Sequence, residues 1–425
     1  METKSTRLYY IDWLRILAFG LLFVFHSWRP FDHFGWHVKN VEQSGFFDVL
    51  TIFIHGWRMD LIFLVSGVGT WFALHSKSSS FFADRIKRLI VPFIFGVILI
   101  IPPQKYIEAV SFHGFQGNYF DFLAEWPGIA FSFNFGKSIL LWFGHLGAHI
   151  YYLPYLFVMT IPVVFLYKAF RNRLPFFDRL KNIIQHPWGV FLLVVPIWLT
   201  RYALKPVFPA YTDWADFFAY MWLFVYGFLL IKEARFIEVL KDRKWLFLNI
   251  GLVLSVVSVF IFISEQGKPA GQSSPYGWEQ LLITLVTALI EFSWVMFFTA
   301  LAATKLNFGH KYLQLANQAV LPVYILHQTV IVVFGYFIVG IPINLWVKFF
   351  MLAAVAIPFS VLLFLVIRKC VVLRFVFGMK KEVTVYKRNN QLPVQPAENT
   401  LSEESELKEA AVVVGPKDFG THHHR

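Results

Sequence analysis

Cysteine and charged residues are scarce in this sequence. Of its 425 residues only Cys370 is a cysteine, which excludes a disulfide framework, a thiolate metal cluster and a paired redox motif. Charged residues make up 15% of the chain, whereas a soluble domain carries about 25%. We expect no cleaved signal peptide, because Asp12 and Arg15 interrupt the first apolar run. The low charge content argues against a soluble domain.

Apolar residues, in contrast, are abundant. They make up 57% of the chain, aromatic residues make up 19%, and the mean hydropathy is +0.57. Apolar runs long enough to span a bilayer occur at residues 9–28, 48–74, 89–106, 147–167, 187–203, 212–231, 244–264, 279–303, 317–338 and 344–368. The sequence therefore predicts an all-α, polytopic integral membrane protein with about ten transmembrane helices.

Lysine and arginine residues collect in alternate loops. The loops within residues 77–88, 168–181 and 232–244 are rich in them, and the loops between these are poor. By the positive-inside rule, this alternation predicts that both termini are cytoplasmic. The net charge of +12 is therefore mainly a signal of topology, and we expect no binding to nucleic acid.

The composition changes near residue 380. Residues 1–380 contain all the apolar runs and form the predicted transmembrane domain. Residues 381–425 are polar and without periodicity, which predicts a disordered cytoplasmic tail. We predict no metal site, and any metal binding by the histidines at 422–424 would be incidental.

Two ionisable residues, Arg15 and His26, lie inside the first apolar run. They are eleven residues apart, so on a helix both side chains project from one stripe, about 16 Å apart along the axis. Ionisable groups are costly in a bilayer, and those that remain usually face a protein interior or a water-filled cavity. The pair therefore indicates a buried polar site with one group toward each membrane face.

Several segments carry a family resemblance. They are IDWLRILAFGLLFVFH in the first run, FIHGWRMDLIFLVSG in the second, and, further along, DRIKRLIVPF, HIYYLPYLF and LPVYILHQTV. In this order, over roughly residues 8 to 370, they resemble the membrane-bound acyltransferase family 3. The stretches FIHGWRM and GWHV also resemble its glucan-biosynthesis protein C branch, which succinylates periplasmic glucans.

The resemblance implies transfer of an acyl group from cytoplasmic acyl-CoA to a carbohydrate or lipid-linked acceptor outside the membrane. Acyl-CoA would be a donor substrate, and we expect no tightly bound cofactor. We expect a multi-pass protein of the bacterial inner membrane, with the bilayer, acyl-CoA and a carbohydrate acceptor as its partners. The oligomeric state stays open.

The family patterns match this sequence at four positions. A basic residue, ten residues and a histidine correspond to Arg15 and His26, which the resemblance makes catalytic. An imidazole can accept a proton near neutral pH, so His26 is the predicted general base. Arg15 suits an anion, although a pair with Asp12 is an open alternative. The Arg-x-x-Arg pattern maps onto Arg85 and Arg88, predicted to hold CoA phosphates, with a positive-inside anchor as the alternative.

The second apolar run contains further polar candidates. On a continuous helix with His55 at zero, Arg58 falls at about −60° and Ser66 at about +20°. These three are predicted to line one face as substrate-binding residues, and a covalent acyl-enzyme on Ser66 is a minor alternative. Asp60 falls near +140°, so we expect it to be buried against another helix, with Arg15 as one candidate partner.

Polar residues elsewhere extend the predicted site. The candidates for binding substrate are Trp36, His37, His149 and Tyr152, and the candidates for a supporting role are Asp12, Asp60, Glu291 and His327. The two loop residues just beyond His26 combine an aromatic face with a hydrogen-bonding group, which suits a sugar. For the residues within apolar runs, structural hydrogen bonding between helices is an equal alternative.

Together these observations predict an O-acyltransferase that moves an acetyl or succinyl group to a hydroxyl of an extracytoplasmic glycan. In this hypothesis His26 deprotonates the acceptor, while Arg15 and Arg58 stabilise negative charge. The alternative from another class is a multi-span transporter or exporter of a polar or acidic solute, for which buried Arg and His are also suited. A third possible function is that of a sensor or scaffold that has kept the fold and lost catalysis.

Overall fold

The computed structural model describes residues 7–75, 80–132, 138–170, 182, 186, 188–232, 234–265 and 274–380. The predicted tail and the basic loop residues Lys77 and 171–181 lie outside the described residues.

Across these described ranges the chain forms helices and no strand. The main helices are α1 (Tyr9–Trp28), α2 (Gly45–His55), α3 (Arg58–Leu74), α4 (Phe81–Phe112), α5 (Tyr119–Phe131), α6 (Ile139–Gly147), α7 (Tyr152–Phe170), α8 (Val194–Leu204), α9 (Trp214–Lys232), α10 (Ala234–Asp242), α11 (Lys244–Glu265), α12 (Trp278–Lys305), α13 (Leu313–Val339), α14 (Leu345–Lys369) and α15 (Val371–Val376). This confirms the predicted all-α fold.

Eight helical segments of the described chain are long and apolar enough to cross a membrane. They correspond to eight of the ten predicted runs, and the protein is a polytopic membrane protein. Of the fifth run, residues 187–203, the described part from Gly189 onward belongs to the shorter apolar segment Gly189–Leu204. The sixth run, residues 212–231, forms α9, which is not among the eight. The count of ten spans and the cytoplasmic termini stay predictions.

Helix α1 lies inside the bundle. Its buried residues Leu14, Ala18, Leu22 and Phe25 repeat at helical spacing, as expected for a face packed against protein. Around it lie α3, α12, α13 and α14. Side chains that project from α1 therefore meet several different helices.

Two of the predicted runs are interrupted. The second run divides at Gly56 and Trp57 into α2 and α3, so the helical wheel that assumed one continuous helix is wrong across this point. Between α6 and α7 the chain turns at Ala148, whose φ of 42° is in the left-handed region. A short 3-10 segment, Ala148–Tyr151, follows the turn. The two breaks change which side chains can face each other.

Helices α3 and α9 pack backbone to backbone. A methyl group added at Gly67 would lie 2.0 Å from the carbonyl oxygen of Phe224, and one added at Gly227 would lie 2.2 Å from that of Leu64. Small residues permit such close approach between helices in a membrane. This contact holds the half of the second run that carries Arg58.

We predict that Gly67→Ala lowers the free energy of unfolding by about 1–3 kcal/mol, because the added methyl forces the two backbones apart. Thermal unfolding of the purified protein in detergent measures the effect. Gly20→Ala is the matched control, because nothing lies within 4 Å of a methyl group there. Equal unfolding temperatures for the two variants would contradict the close packing.

Candidate active site

A cavity of about 840 Å³ lies beside the C-terminal half of α1. Among its lining residues are the predicted site residues His26, Trp36, His37, His55, Arg58, His149 and His327. They come from α1, the loop after it, α2, α3, the 3-10 segment before α7, and α13. Tertiary packing therefore brings into one space residues that are as far as 301 positions apart in the sequence.

Three histidines cluster at this cavity. The ring centroid of His327 lies 5.1 Å from that of His26 and 5.1 Å from that of His149. His327 Nδ1 donates to the carbonyl oxygen of Tyr324 at 2.5 Å, and His149 Nε2 donates to that of Ile325 at 3.0 Å. These bonds fix the tautomers, so Nε2 of His327 and Nδ1 of His149 each keep a lone pair.

His26 is buried in this cluster. Its Nδ1 has no hydrogen-bond partner among the described residues, and the same is true of His327 Nε2. The two nitrogens are complementary, because a neutral His26 that is protonated on Nδ1 offers the proton that His327 Nε2 can accept. That tautomer leaves Nε2 of His26 as the basic nitrogen.

The loop after α1 covers the cavity with an aromatic ring. The ring of Trp36 stacks on that of His26, with centroids 6.2 Å apart and planes 18° apart. The loop is held by Asp32, which is fully buried and pairs with Arg29 and Lys39. Its carboxylate also accepts a 2.9 Å hydrogen bond from Thr51 Oγ1 in α2. One buried carboxylate therefore fixes the ring above His26.

His37 belongs to a separate chain of hydrogen bonds at the same wall. Its Nδ1 donates to Glu108 at 2.5 Å, and its Nε2 accepts from Gln328 Nε2 at 2.8 Å. Burial lowers the pKa of His37 and Glu108 opposes the shift, so the neutral ring is favoured. The unfolded chain binds this proton more readily, so the stability that His37 contributes is lost as the pH falls from about 6.5 toward its folded pKa.

Arg58 and His55 meet in the cavity although they lie on different helices. The guanidinium carbon of Arg58 lies 3.5 Å from the centroid of Phe25, and two of its nitrogens, Nε and Nη1, lack hydrogen-bond partners among the described residues. The ring of His55 lies 4.7 Å from that of Tyr211. Arg58 therefore presents a positive charge with free donors.

Tyr211 was missed by sequence reasoning. It lies on a short connection before α9, and its hydroxyl is 2.9 Å from that of Tyr151. The next residue, Thr212, has a φ of 65° and donates its backbone N–H to Asp216 at 3.1 Å. No spacing in the sequence marks this tyrosine, because it reaches the cavity only through the fold of its loop.

Aromatic rings separate this cavity from the remaining predicted residues. Phe19, Tyr152 and Tyr324 are in mutual contact, with centroids 5.3 to 5.9 Å apart. Tyr152 donates to Ser66 Oγ, which donates to the carbonyl oxygen of Ile62 at 2.6 Å. Ser66 therefore lies beyond the aromatic layer from His26 and does not share a face with His55, contrary to our prediction.

On the far side of this layer lies a cluster of cations. The guanidinium of Arg15 lies over Gly69, where an added methyl group would be 2.6 Å from Nη2. Arg15 and Arg88 are both charged neighbours of Arg85, and Arg15 also acts on Tyr152. The alternative partner of Arg15, Asp12, instead bonds Arg7 at 2.7 Å. Arg15, from the family pattern in the first run, therefore lies near Arg85 and Arg88 of the Arg-x-x-Arg pattern.

Asp60 and Glu291 belong to a different cluster. Arg201 donates to Glu291 at 2.9 Å and to Asp216 at 2.8 Å, and all three are buried. Asp60 lies beside this group, whose charges are its electrostatic neighbours. Glu291 does not line the cavity. Arg201 is a charged neighbour of Asp60, whereas our candidate partner for Asp60 was Arg15. Pairing explains how these charges are tolerated in the bundle.

The comparison with protein families decides the class. A family model described as an acyltransferase domain, of the acyltransferase 3 type, matches residues 8–365. The chain belongs to the acyltransferase 3 family. This family assignment confirms the resemblance carried by the five segments and gives a membrane-bound acyltransferase.

Relatives of this acyltransferase have a common name. Glucans biosynthesis protein C of Escherichia coli strain SMS-3-5 / SECEC is 24% identical over 411 residues, which cover 92% of this chain and 99% of the relative. The protein of that name from strain K12 is 23% identical with the same coverage. No solved structure gives a significant match to this acyltransferase.

We predict that Asp32→Asn lowers the free energy of unfolding by about 3–5 kcal/mol, because Arg29 and Lys39 would then lose the buried carboxylate with which they pair directly. The control is Asp48→Asn, which removes a carboxylate from the more exposed His33. We expect it to change stability by less than about 1 kcal/mol. Thermal unfolding in detergent compares them, and similar losses would contradict the anchoring role of Asp32.

Proposed function

We propose that this acyltransferase moves an acyl group from cytoplasmic acyl-CoA to a hydroxyl group of an extracytoplasmic glycan. The observation that carries the proposal is that α1 contributes residues to two polar sites, which an aromatic layer separates from each other. His26 faces a cavity on one side, and Arg15 joins Arg85 on the other. In the predicted orientation, the cavity opens to the acceptor and the cations face the donor.

His26 is the general base in this proposal. It takes the proton of the acceptor hydroxyl while the hydroxyl oxygen forms an ester bond with the acyl carbon. The carbon–sulfur bond of the thioester then breaks, and the sulfur leaves with the bonding electrons. The protonated His26 returns the proton to this thiolate, so the enzyme ends in its starting state. Ester and free CoA are the products.

Direct transfer suits this geometry better than an acyl-enzyme on Ser66. The Ser66 hydroxyl donates to a backbone carbonyl, so its proton is not directed to a base. The hydroxyl's other neighbour, Tyr152, donates to it and does not activate it. Ser66 therefore has a structural role beside the aromatic layer.

Arg58 stabilises the negative charge that develops on the acyl group. Its guanidinium is buried, has free donors, and lines the same cavity as His26. A fixed donor at such a position acts on charge in a water-poor site, where it is most effective. The same group also suits the free carboxylate of a succinyl chain, which an acetyl group lacks.

His327 positions His26 in this mechanism. Neither His327 Nε2 nor His26 Nδ1 has a hydrogen-bond partner among the described residues, and the two ring centroids are 5.1 Å apart. In the proposed reacting state, His327 Nε2 accepts the Nδ1 proton of His26, which directs the basic Nε2 of His26 toward the acceptor. The bond from His327 Nδ1 to Tyr324 keeps the accepting nitrogen unprotonated. The arrangement resembles the way a carboxylate orients the histidine of a hydrolase triad.

The acceptor in this proposal is a glucan. The relatives are named for glucan biosynthesis, and the cavity is lined by both aromatic and hydrogen-bonding side chains, which suit a sugar. Trp36 supplies an aromatic face, and Gln328, whose amide nitrogen is bonded to His37, supplies an amide oxygen as a hydrogen-bond acceptor. Succinyl is the acyl group that the branch resemblance favours, with acetyl as the other candidate.

We predict that His26→Ala reduces acyl transfer by at least about 100-fold, because the general base is lost. Labelled succinyl-CoA and acetyl-CoA, supplied to inner-membrane vesicles with a glucan acceptor, measure the reaction. His113→Ala is the control, since this histidine is exposed and does not line the cavity. Full activity of the His26 variant would overturn the assignment, and export of solute without acyl transfer would favour a transporter.

We predict that His327→Phe lowers kcat roughly 100-fold with little change in KM, because His26 loses the group that orients it. His327→Gln keeps an oxygen acceptor and should restore most of the rate. His149→Phe is the comparison, because His149 contacts the ring of His327. If His327→Gln and His327→Phe are equally slow at unchanged stability, the positioning role is wrong.

A further inference from the structure

The chain after α14 folds back onto α4. We call residues 371–380 the C-terminal strap; it contains α15 and the turn that follows it. Phe377 is buried, with its ring 5.2 Å from that of Phe95. A methyl group added at Gly378 would lie 2.8 Å from the carbonyl oxygen of Arg88 and 2.8 Å from Pro92 Cγ. The strap is thus docked directly over one of the predicted donor-binding arginines.

The backbone conformation of the strap requires its glycine. Gly378 has a φ of 67°, in the left-handed region that residues with a side chain rarely adopt. Its close approach to Arg88 leaves no space for a Cβ atom. The turn that brings the last residue of the strap to α4 therefore depends on this position.

The strap places Lys380 beside the cation cluster. Arg374 Nη2 donates to the carbonyl oxygen of Lys380 at 2.6 Å, and its Nη1 donates to that of Arg368 at 3.2 Å. These bonds tie the end of the strap to the end of α14. Partial burial lowers the pKa of the exposed Lys380, and the charges of Arg88 and Arg15 lower it further.

Counting the described residues, the cluster formed by Arg15, Arg85, Arg88 and Lys380 carries more positive than negative charge. The carboxylate of Asp84 acts on Arg88, whereas the charged groups in the described part of the chain that act on Arg85 and Lys380 are cations. In addition, Nε and Nη2 of Arg85 are buried with no hydrogen-bond partner among the described residues. Like charges held together with unused donors are stabilised by a bound anion.

We propose that the C-terminal strap completes a phosphate-binding site, in which Lys380 joins Arg15, Arg85 and Arg88 in holding the phosphate groups of the donor. The inference rests on the proposed function for the identity of the donor. It adds a residue beyond the Arg-x-x-Arg pattern and beyond residues 8–365, which the family match covers.

The position of the cluster favours a donor over a lipid head group. Anionic lipids also attract basic residues at the cytoplasmic surface. This cluster, however, reaches from Lys380 at the surface to Arg15, which lies against Gly69 inside the bundle and acts on Tyr152. An elongated molecule with phosphates at one end and a thioester at the other matches that depth.

The test measures CoA binding to the purified full chain in nanodiscs of neutral lipid, by isothermal titration calorimetry. We expect Lys380→Ala to weaken CoA binding about tenfold, the loss of one charge-assisted contact. Gly378→Ala should weaken it to a similar extent while keeping every charge, because the strap cannot dock. Lys369→Ala is the control; this lysine is exposed at the end of α14, and we expect unchanged binding.

Inorganic pyrophosphate, as a second probe, separates the two proposals. Binding of pyrophosphate that depends on Lys380, without binding of CoA, would keep the strap site and overturn acyl-CoA as the donor. Unchanged CoA affinity in Lys380→Ala would overturn the strap inference and leave the proposed reaction intact. If Lys380→Ala loses CoA affinity only in nanodiscs with anionic lipid, Lys380 would be assigned to lipid head groups. That result would also overturn the strap inference.

Discussion

The cost of placing ionisable groups in a bilayer is the constraint on which this structure depends. Each such group must pair with another charge or face a cavity. Arg201 satisfies the constraint by pairing with Glu291 and Asp216. His26 satisfies it differently, since its Nδ1 is buried without a partner and its ring faces a cavity. The first group supports the bundle, and the second is available for chemistry.

Helix α1 relates the two sides of the proposed reaction. Its stripe carries Arg15 and His26 about 16 Å apart, and the contact of Phe19 with Tyr152 and Tyr324 lies between them. In the proposed reaction, an acyl group delivered from the donor side must pass this aromatic layer. The CoA phosphates stay on the donor side, and the glycan stays in the cavity. Separate donor and acceptor sites on one rigid helix suit transfer across a membrane.

Much of the site could be predicted from the sequence. The stripe of α1 follows from helical geometry, and the arginines at 85 and 88 from their spacing, because both patterns are local. The predicted face of the second run was only partly right. It needed a continuous helix, whereas the chain breaks at Gly56, and Ser66 therefore lies beyond the aromatic layer from His55. Glu291 was predicted to have a supporting role, with structural bonding between helices as an equal alternative. Its partner, Arg201, could not be predicted, because an apolar context shows burial but does not identify the partner.

The sequence by itself determined the helical class, the membrane setting, and the pair of ionisable residues on α1, because these depend on composition and on a period within one segment. Only the tertiary structure decided which groups meet. It put His327 against His26, Tyr211 beside His55, and the C-terminal strap over Arg88. Such contacts join residues far apart in the chain. They depend on how whole helices pack and where each loop turns, which no local pattern encodes.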